Sequence, residues 1–269
     1  MQLGISTYSF PWAIGIAGYE PSNPLTARGL LEVAIQSDIH FVQFGDNYPL
    51  HHLSAQELSD LKNYTDEWGI QIQVGTRGLS IATINTYLSI ANFVSSDFLR
   101  IVIDDTNYHP IESEVIQIIK ALLPQLQFHG VKLAIENHDR FASKTLKRII
   151  EETDPQWVGI CLDTANSFGA GEGINEVVAY LAPYTLNLHI KDFSINRVQN
   201  KMGFHIKGCA AGKGLLNIPW LVNEVNKYER CNTATLEVWS DPEPTIEATV
   251  QKEKEWAEKS IYYLKTIIS

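Results

Sequence analysis

The sequence predicts a single (β/α)8 TIM barrel spanning residues 1–269. Eight short apolar, β-branched runs recur, each is followed by a segment of helical period, and no low-complexity linker interrupts the alternation. A chain of 269 residues matches the size of one such barrel. An open, doubly wound eight-stranded sheet is the competing arrangement. It lacks its usual signature, because neither GxGxxG nor GxxxxGK[ST] follows the first run.

In chain order the strand candidates are 3–7 (LGIST), 41–45 (FVQFG), 70–75 (IQIQVG), 99–103 (LRIVI), 131–136 (VKLAIE), 158–163 (VGICLD), 186–191 (LNLHIK) and 233–238 (TATLEV). Helical period marks 25–37, 54–68, 81–95, 111–129, 143–153, 174–181, 219–228 and 245–267. Ser54 and Glu57 have capping-box spacing, and Gly69 and Gly130 stand where helices would stop before a strand. The longest irregular stretch, 193–217, follows the seventh strand, where a functional βα loop is expected.

Composition narrows the function classes. Apolar residues make up 45% and charged residues 19%, enough for a large core, and no stretch reaches the roughly 20 apolar residues of a membrane span. The first residues lack the basic start and small-residue cleavage site of a signal peptide. Three cysteines, with no CxxC pair, argue against a disulfide framework and fit a reducing cytoplasm. A formal charge of −10 would repel a phosphate backbone, so the expected partner is a small molecule, with neither nucleic acid nor membrane.

Barrel enzymes carry their reactive side chains at the C-terminal ends of strands. Four consecutive runs end in groups that can bind a metal: Glu136 in LAIENHD, Asp163 in GICLDTAN, His189 in LNLHIKDF and Glu237 in ATLEVW. Three carboxylates converging on one point would repel one another, and a divalent cation removes that conflict. Two glutamates, an aspartate and an imidazole suit Mn²⁺, Mg²⁺, Co²⁺ or Zn²⁺ without choosing among them. Taken singly, an acid at a strand end is more often a cap and a strand histidine more often a core residue. Four at equivalent ends of consecutive strands favour a metal site.

These segments resemble the xylose isomerase-like TIM-barrel superfamily of sugar isomerases and epimerases, with the LDTAN and HIKD segments, the Gly212-Lys213-Gly214 turn and the strand ending in Glu237 most specific. The similarity covers essentially the whole chain. It implies one metal at the four positions, with Glu136 and Glu237 moving protons on opposite faces of the substrate and Asp163 and His189 chiefly holding the ion. Homo-oligomers are common in that family. Such a site stabilises an enediolate, an intermediate shared by epimerisation, aldose–ketose isomerisation and loss of a β-keto carboxylate. The expected activity is a metal-dependent isomerase or epimerase of a small keto-sugar. Met202-Gly203-Phe204, the Gly212–Gly214 turn and the helix 245–264 also resemble the superfamily's 3-oxo-isoapionate decarboxylase group, which makes a lyase using the same site the alternative. A metal- or sugar-binding barrel without catalysis is the third possibility, and the superfamily's endonuclease branch would need more ligands than the strand ends supply.

Two departures concern the substrate. Asn166 stands where sugar epimerases acting on free ketoses often carry histidine, and an amide can hydrogen-bond substrate but cannot shuttle a proton. The stretch from Lys191 to Lys213 holds Lys191, Arg197, Lys201, Lys207 and Lys213 with Asp192 as its sole acid, in a chain that is acidic overall. Lys191, Arg197 or Lys207 is therefore expected to meet a phosphate or carboxylate on the substrate, although a solvated basic loop is the plainer explanation. His138, directly after the metal-site strand, is a further substrate-contact candidate. Tyr8, Phe10, Trp12 and Trp239 are candidates for an apolar wall.

Overall fold

Side-chain alternation along the strands decides what enters the barrel and what faces its helices. The computed structural model describes residues 1–268. Its strands are β1 (Gln2–Ser6), β2 (Phe41–Phe44), β3 (Gln71–Arg77), β4 (Phe98–Val102), β5 (Lys132–Glu136), β6 (Val158–Asp163), β7 (Thr185–Ile190), β8 (Asp192–Arg197), β9 (Phe204–Cys209) and β10 (Thr233–Leu236). Strands β1 to β7 pair in sequence, and β10 closes the ring between β7 and β1, all in parallel. The chain thus folds as a (β/α)8 barrel.

Leu3, Ile5, Val42, Phe44, Ile72, Val74, Leu99, Ile101, Leu133, Ile135, Leu188 and Ile190 point outward into one apolar cluster shared with the helices. Those helices are α1 (Pro11–Ile14), α2 (Ala27–Gln36), α3 (Ala55–Trp68), α4 (Ile81–Val94), α5 (Glu112–His129), α6 (Ser143–Glu152), α7 (Ile174–Leu181), α8 (Ile218–Asn226) and α9 (Ile246–Lys265). The Ser54–Glu57 capping box is formed, and Gly69 and Gly130 both take left-handed backbone at φ 66°.

The alternate strand residues face inward. At the bottom, the Phe41 ring lies where a side chain on Gly4 would have to be, 2.1 Å from an ideal Cβ. Above it the interior is polar. Gln43 Nε2 on β2 donates to Gln73 Oε1 at 3.2 Å and to Asn187 Oδ1 on β7 at 3.3 Å. Strands β2 and β7 are not neighbours in the ring, so these amides meet through the barrel itself.

The stretch 193–217 is not irregular as expected. Strands β8 and β9 form an antiparallel hairpin there, with Ile195 opposite Ile206 and Arg197 opposite Phe204. Both strands are exposed toward the hairpin tip, so no buried face imposes the period-2 pattern that would have marked them. Asp192 roots the hairpin by accepting from the backbone N–H groups of Phe193, Gly212, Gly214 and Leu216 at 2.8–3.1 Å. This explains the glycine turn: an ideal Cβ on Gly214 would stand 2.2 Å from Asp192 Oδ1.

A second carboxylate organises the chain after β1. Glu253 on α9 accepts from Trp12 N and Ala13 N, both at 2.9 Å, and burial pushes its carboxyl up to about 7.

Candidate metal centre

Each acidic or imidazole group expected at the strand ends is buried and turned to the barrel mouth. Asp163 ends β6, and the following turn fixes it: Oδ1 accepts from Ala165 N and Asn166 N, both at 2.8 Å. Asn137 brackets the same residue, with its Oδ1 accepting from Asp163 N and its Nδ2 donating to Asp163 O. The other carboxylate oxygen, Oδ2, is aimed into the mouth, where it meets the ammonium of Lys191 at 2.9 Å.

His189 on β7 is oriented from below. Its Nε2 lies 2.7 Å from Gln43 Oε1, and Gln43 presents an acceptor there because its amide nitrogen is committed to Gln73 and Asn187. Nε2 therefore donates to Gln43, which leaves Nδ1 as the nitrogen that faces the mouth. Nδ1 has no hydrogen-bond partner among the described residues. It faces Glu237 Oε1 at 3.0 Å, Glu136 Oε2 at 3.5 Å and Asp163 Oδ2 at 4.0 Å. An imidazole nitrogen so close to carboxylate oxygens calls for a cation between them, a proton or a metal, and this cluster of oxygen and nitrogen donors is one that a divalent ion fits. Ligand atoms of Asp163, His189 and Glu237 lie within 4.8 Å of one another, as do those of Glu136, Cys161 and His189.

Two buried cations share this space. Lys191 Nζ lies 2.9 Å from Asp163 Oδ2 and 2.8 Å from Glu237 Oε2. Burial disfavours its ammonium, but Asp163, Glu237 and Glu136 outweigh burial and hold it charged. Arg100, from the middle of β4, sends Nε to Glu136 Oε2 at 2.5 Å and NH1 to Asp46 Oδ1 at 2.7 Å. Gly75 on β3 leaves room for this side chain, since an ideal Cβ there would stand 3.0 Å from Arg100 Cδ. Asp46 also accepts from Arg77 Nε at 2.8 Å. Burial opposes its ionisation, but the two guanidinium groups hold its carboxyl well below the ordinary range.

Among the expected substrate contacts, Asn166 donates to Glu136 Oε1 at 2.7 Å and Lys191 joins the carboxylates as described. His138 pairs with the neighbouring Asp139 and lines a small cavity with Glu136, Asp104, Arg140 and Phe141. Arg197 and Lys207 lie exposed on the hairpin. Arg197 reaches Lys201 O and stacks on Phe204, while Lys207 pairs with Asp241 at 2.6 Å. No ion pair joins either to the carboxylate cluster among the described residues. Sequence reasoning missed Arg100, Asp46, Arg77 and Gln43. A lone arginine inside the apolar run LRIVI was the available signal for the first.

Residues 105–267 match the family model described as xylose isomerase-like TIM barrel. The chain is 30% identical over 266 residues to the 3-oxo-isoapionate decarboxylase of Pectobacterium atrosepticum, covering 99% of this chain and 96% of that protein. The chain belongs to the xylose isomerase-like TIM barrel family. The same fold appears in D-psicose 3-epimerase with D-tagatose from Clostridium cellulolyticum H10, at a TM-score of 0.73, 13% identity and full coverage of both chains. It appears again in a xylose isomerase-like protein from Mycobacterium smegmatis in complex with magnesium, at a TM-score of 0.69 and 12% identity, covering 98% of this chain and 97% of that one. The full-length relative is a sugar-acid enzyme, and that likeness supports a sugar-processing enzyme here. No helix among the described residues is long and apolar enough to cross a membrane.

Proposed function

We propose that the enzyme is a metal-dependent lyase that releases CO₂ from a 3-oxo sugar acid. The observation that carries this reading is the clamp on Glu136. Arg100 Nε at 2.5 Å and Asn166 Nδ2 at 2.7 Å engage both of its oxygens. An epimerase needs carboxylates free to take a proton on one face and return one on the other. A decarboxylase needs no base: the C–C bond breaks, the electron pair stays as an enediolate, and one proton completes the product. The full-length similarity to a 3-oxo-isoapionate decarboxylase supports the same choice.

Glu136, Asp163, His189 and Glu237 would hold the ion. When bound there, a divalent ion supplies Lewis acidity toward the ketone and its neighbouring hydroxyl. The chain's own groups do the rest. Gln43 keeps His189 Nδ1 turned to the mouth, and Asn137 and the 163–166 turn keep Asp163 Oδ2 directed at the same point. Arg100 holds Glu136 in place. Lys191 Nζ places a fixed positive charge beside the developing enediolate and is positioned to deliver the proton that ends the reaction.

A second reading, isomerisation or epimerisation of an anionic keto-sugar, rests on Glu237. No arginine touches that carboxylate, and its partner at 2.8 Å is the Lys191 ammonium, a group that can itself exchange a proton. Incubating the Mn²⁺-loaded enzyme in D₂O with a panel of 3-oxo sugar acids and ketose phosphates separates the two. CO₂ release with one deuterium incorporated supports the lyase, whereas deuterium exchange without CO₂ supports the isomerase. No turnover and no exchange on any compound overturns both.

A further inference from the structure

The basic hairpin does not account for recognition of an anionic substrate, because its cations point to solvent or to Asp241. A different cation faces the mouth. On β3, Ile72 and Val74 point outward into the helix-packed core, so Gln73, Gly75 and Arg77 lie on the inward face, with Arg77 uppermost. Two contacts confirm that face: Gln73 meets Gln43 inside the barrel, and Gly75 lies against Arg100. Three strands separate β3 from β7 in either direction around the ring, so Arg77 stands across the mouth from His189.

Arg77 is the least satisfied of the three mouth cations. Lys191 is committed to Asp163 and Glu237, and Arg100 to Glu136 and Asp46. Arg77 spends only Nε, on Asp46, which Arg100 already shares, and its side chain is 34% exposed. Its two terminal nitrogens have no protein partner among the described residues. Counted as formal charges, Asp46, Glu136, Asp163 and Glu237 face Arg77, Arg100 and Lys191, four against three. A divalent ion turns that balance to one net positive charge, which matches a single carboxylate better than a phosphate dianion.

We propose that the terminal nitrogens of Arg77 bind the carboxylate of the substrate, and that Arg77 thereby selects acids over neutral sugars. The proposal rests on the reading that substrate lies across the metal centre. Asp46 positions the guanidinium by holding Nε, which leaves the NH1 and NH2 edge to engage both carboxylate oxygens. The carboxylate it grips leaves as neutral CO₂, so the ion pair is stronger in the ground state than in the transition state, and its loss raises KM without lowering kcat.

Tartronate and glycolate test this by calorimetric titration, with and without Mn²⁺. Both offer a hydroxyl and an adjacent carboxylate to a metal, and only tartronate adds a second carboxylate. The unsubstituted enzyme is expected to prefer tartronate by about tenfold or more. Arg77→Met should abolish that preference and Arg77→Lys should keep part of it, with thermal unfolding confirming that both fold. An unchanged preference in Arg77→Met overturns the proposal, as does no preference in the unsubstituted enzyme, or its loss in Arg197→Met instead. CO₂ release that ignores Arg77→Met, together with unchanged tartronate binding, sinks this inference alone. Arg77-dependent tartronate binding with no CO₂ from any 3-oxo acid sinks the lyase reading alone.

Discussion

The half of the mouth built by β5, β6, β7 and β10 carries Glu136, Asp163, His189 and Glu237, whereas the half built by β2, β3 and β4 carries Arg77 and Arg100 around Asp46. On the acidic side, His189 Nδ1 stands 3.0 Å from Glu237 Oε1, and three carboxylates share the single ammonium of Lys191. On the basic side, two guanidinium groups share one carboxylate. Each half is electrostatically unbalanced alone. Arg100 joins them, since its two arms end on Asp46 and Glu136. The lesson is that this site is a pair of opposed excesses, which an added divalent cation and an added anion would complete together.

Removing the bridge breaks the comparison most severely. Arg100→Met leaves buried carboxylates uncompensated and is expected to cost about 3–5 kcal/mol, read as a lower urea midpoint at unchanged slope. Mn²⁺ should recover part of that loss, because it restores positive charge near Glu136.

Glu253 is the control from outside both halves, a buried carboxylate that meets N–H donors and no cation. Its carboxyl is raised from 4.5 to about 7, so the folded state retains a proton that the unfolded chain releases. Stability therefore falls as pH climbs from 4.5 through about 7, and the loss persists above that point. Glu253→Gln should flatten this slope, worth about 3 kcal/mol at most, in unfolding curves collected from pH 5 to pH 8. A slope unchanged by the substitution would show that the N–H donors already compensate the charge.

A finer test concerns the direction of the His189 ring. Gln43→Leu removes the acceptor that keeps the proton on Nε2, and metal affinity should drop by about 10–100-fold. Equal affinity would mean that the acidic half orients the ring without help from below. The smallest effect belongs to Lys207→Ala on the hairpin, where stability should move by less than about 0.5 kcal/mol and KM should stay put. A large rise in KM would return the anion contact to the hairpin.

How much of this was legible in the sequence follows from burial. The barrel strands were readable because their outward residues form continuous apolar runs, and the observed strands fall within a few residues of the expected ones. Glu136, Asp163, His189 and Glu237 were readable because each is a polar residue within the last three positions of such a run. Arg77 and Asp46 lie just past the ends of the runs read as strands, where an isolated charge looks like a loop residue. Arg100 sits inside a run, and nothing in one dimension tells whether its long side chain climbs to the mouth or snorkels outward. The hairpin escaped notice because exposure on both faces erases alternation. The hydrogen bond between Gln43 and His189 spans 146 positions, and no local pattern encodes it.

The amides inside the barrel have a consequence for redesign. Asn187 Nδ2 donates to Thr233 O, which can only accept, so Asn187 must present Oδ1 to Gln43 Nε2, and Gln43 must then present Oε1 to His189. A backbone carbonyl near the start of β10 thus dictates, two amides away, which imidazole nitrogen looks out of the mouth. A library randomised at Glu136, Asp163, His189 and Glu237 alone inherits that orientation in every member that keeps the histidine. Presenting the other nitrogen requires the amides to reverse as a set, so the heritable unit of this centre extends from its four ligands down to Thr233.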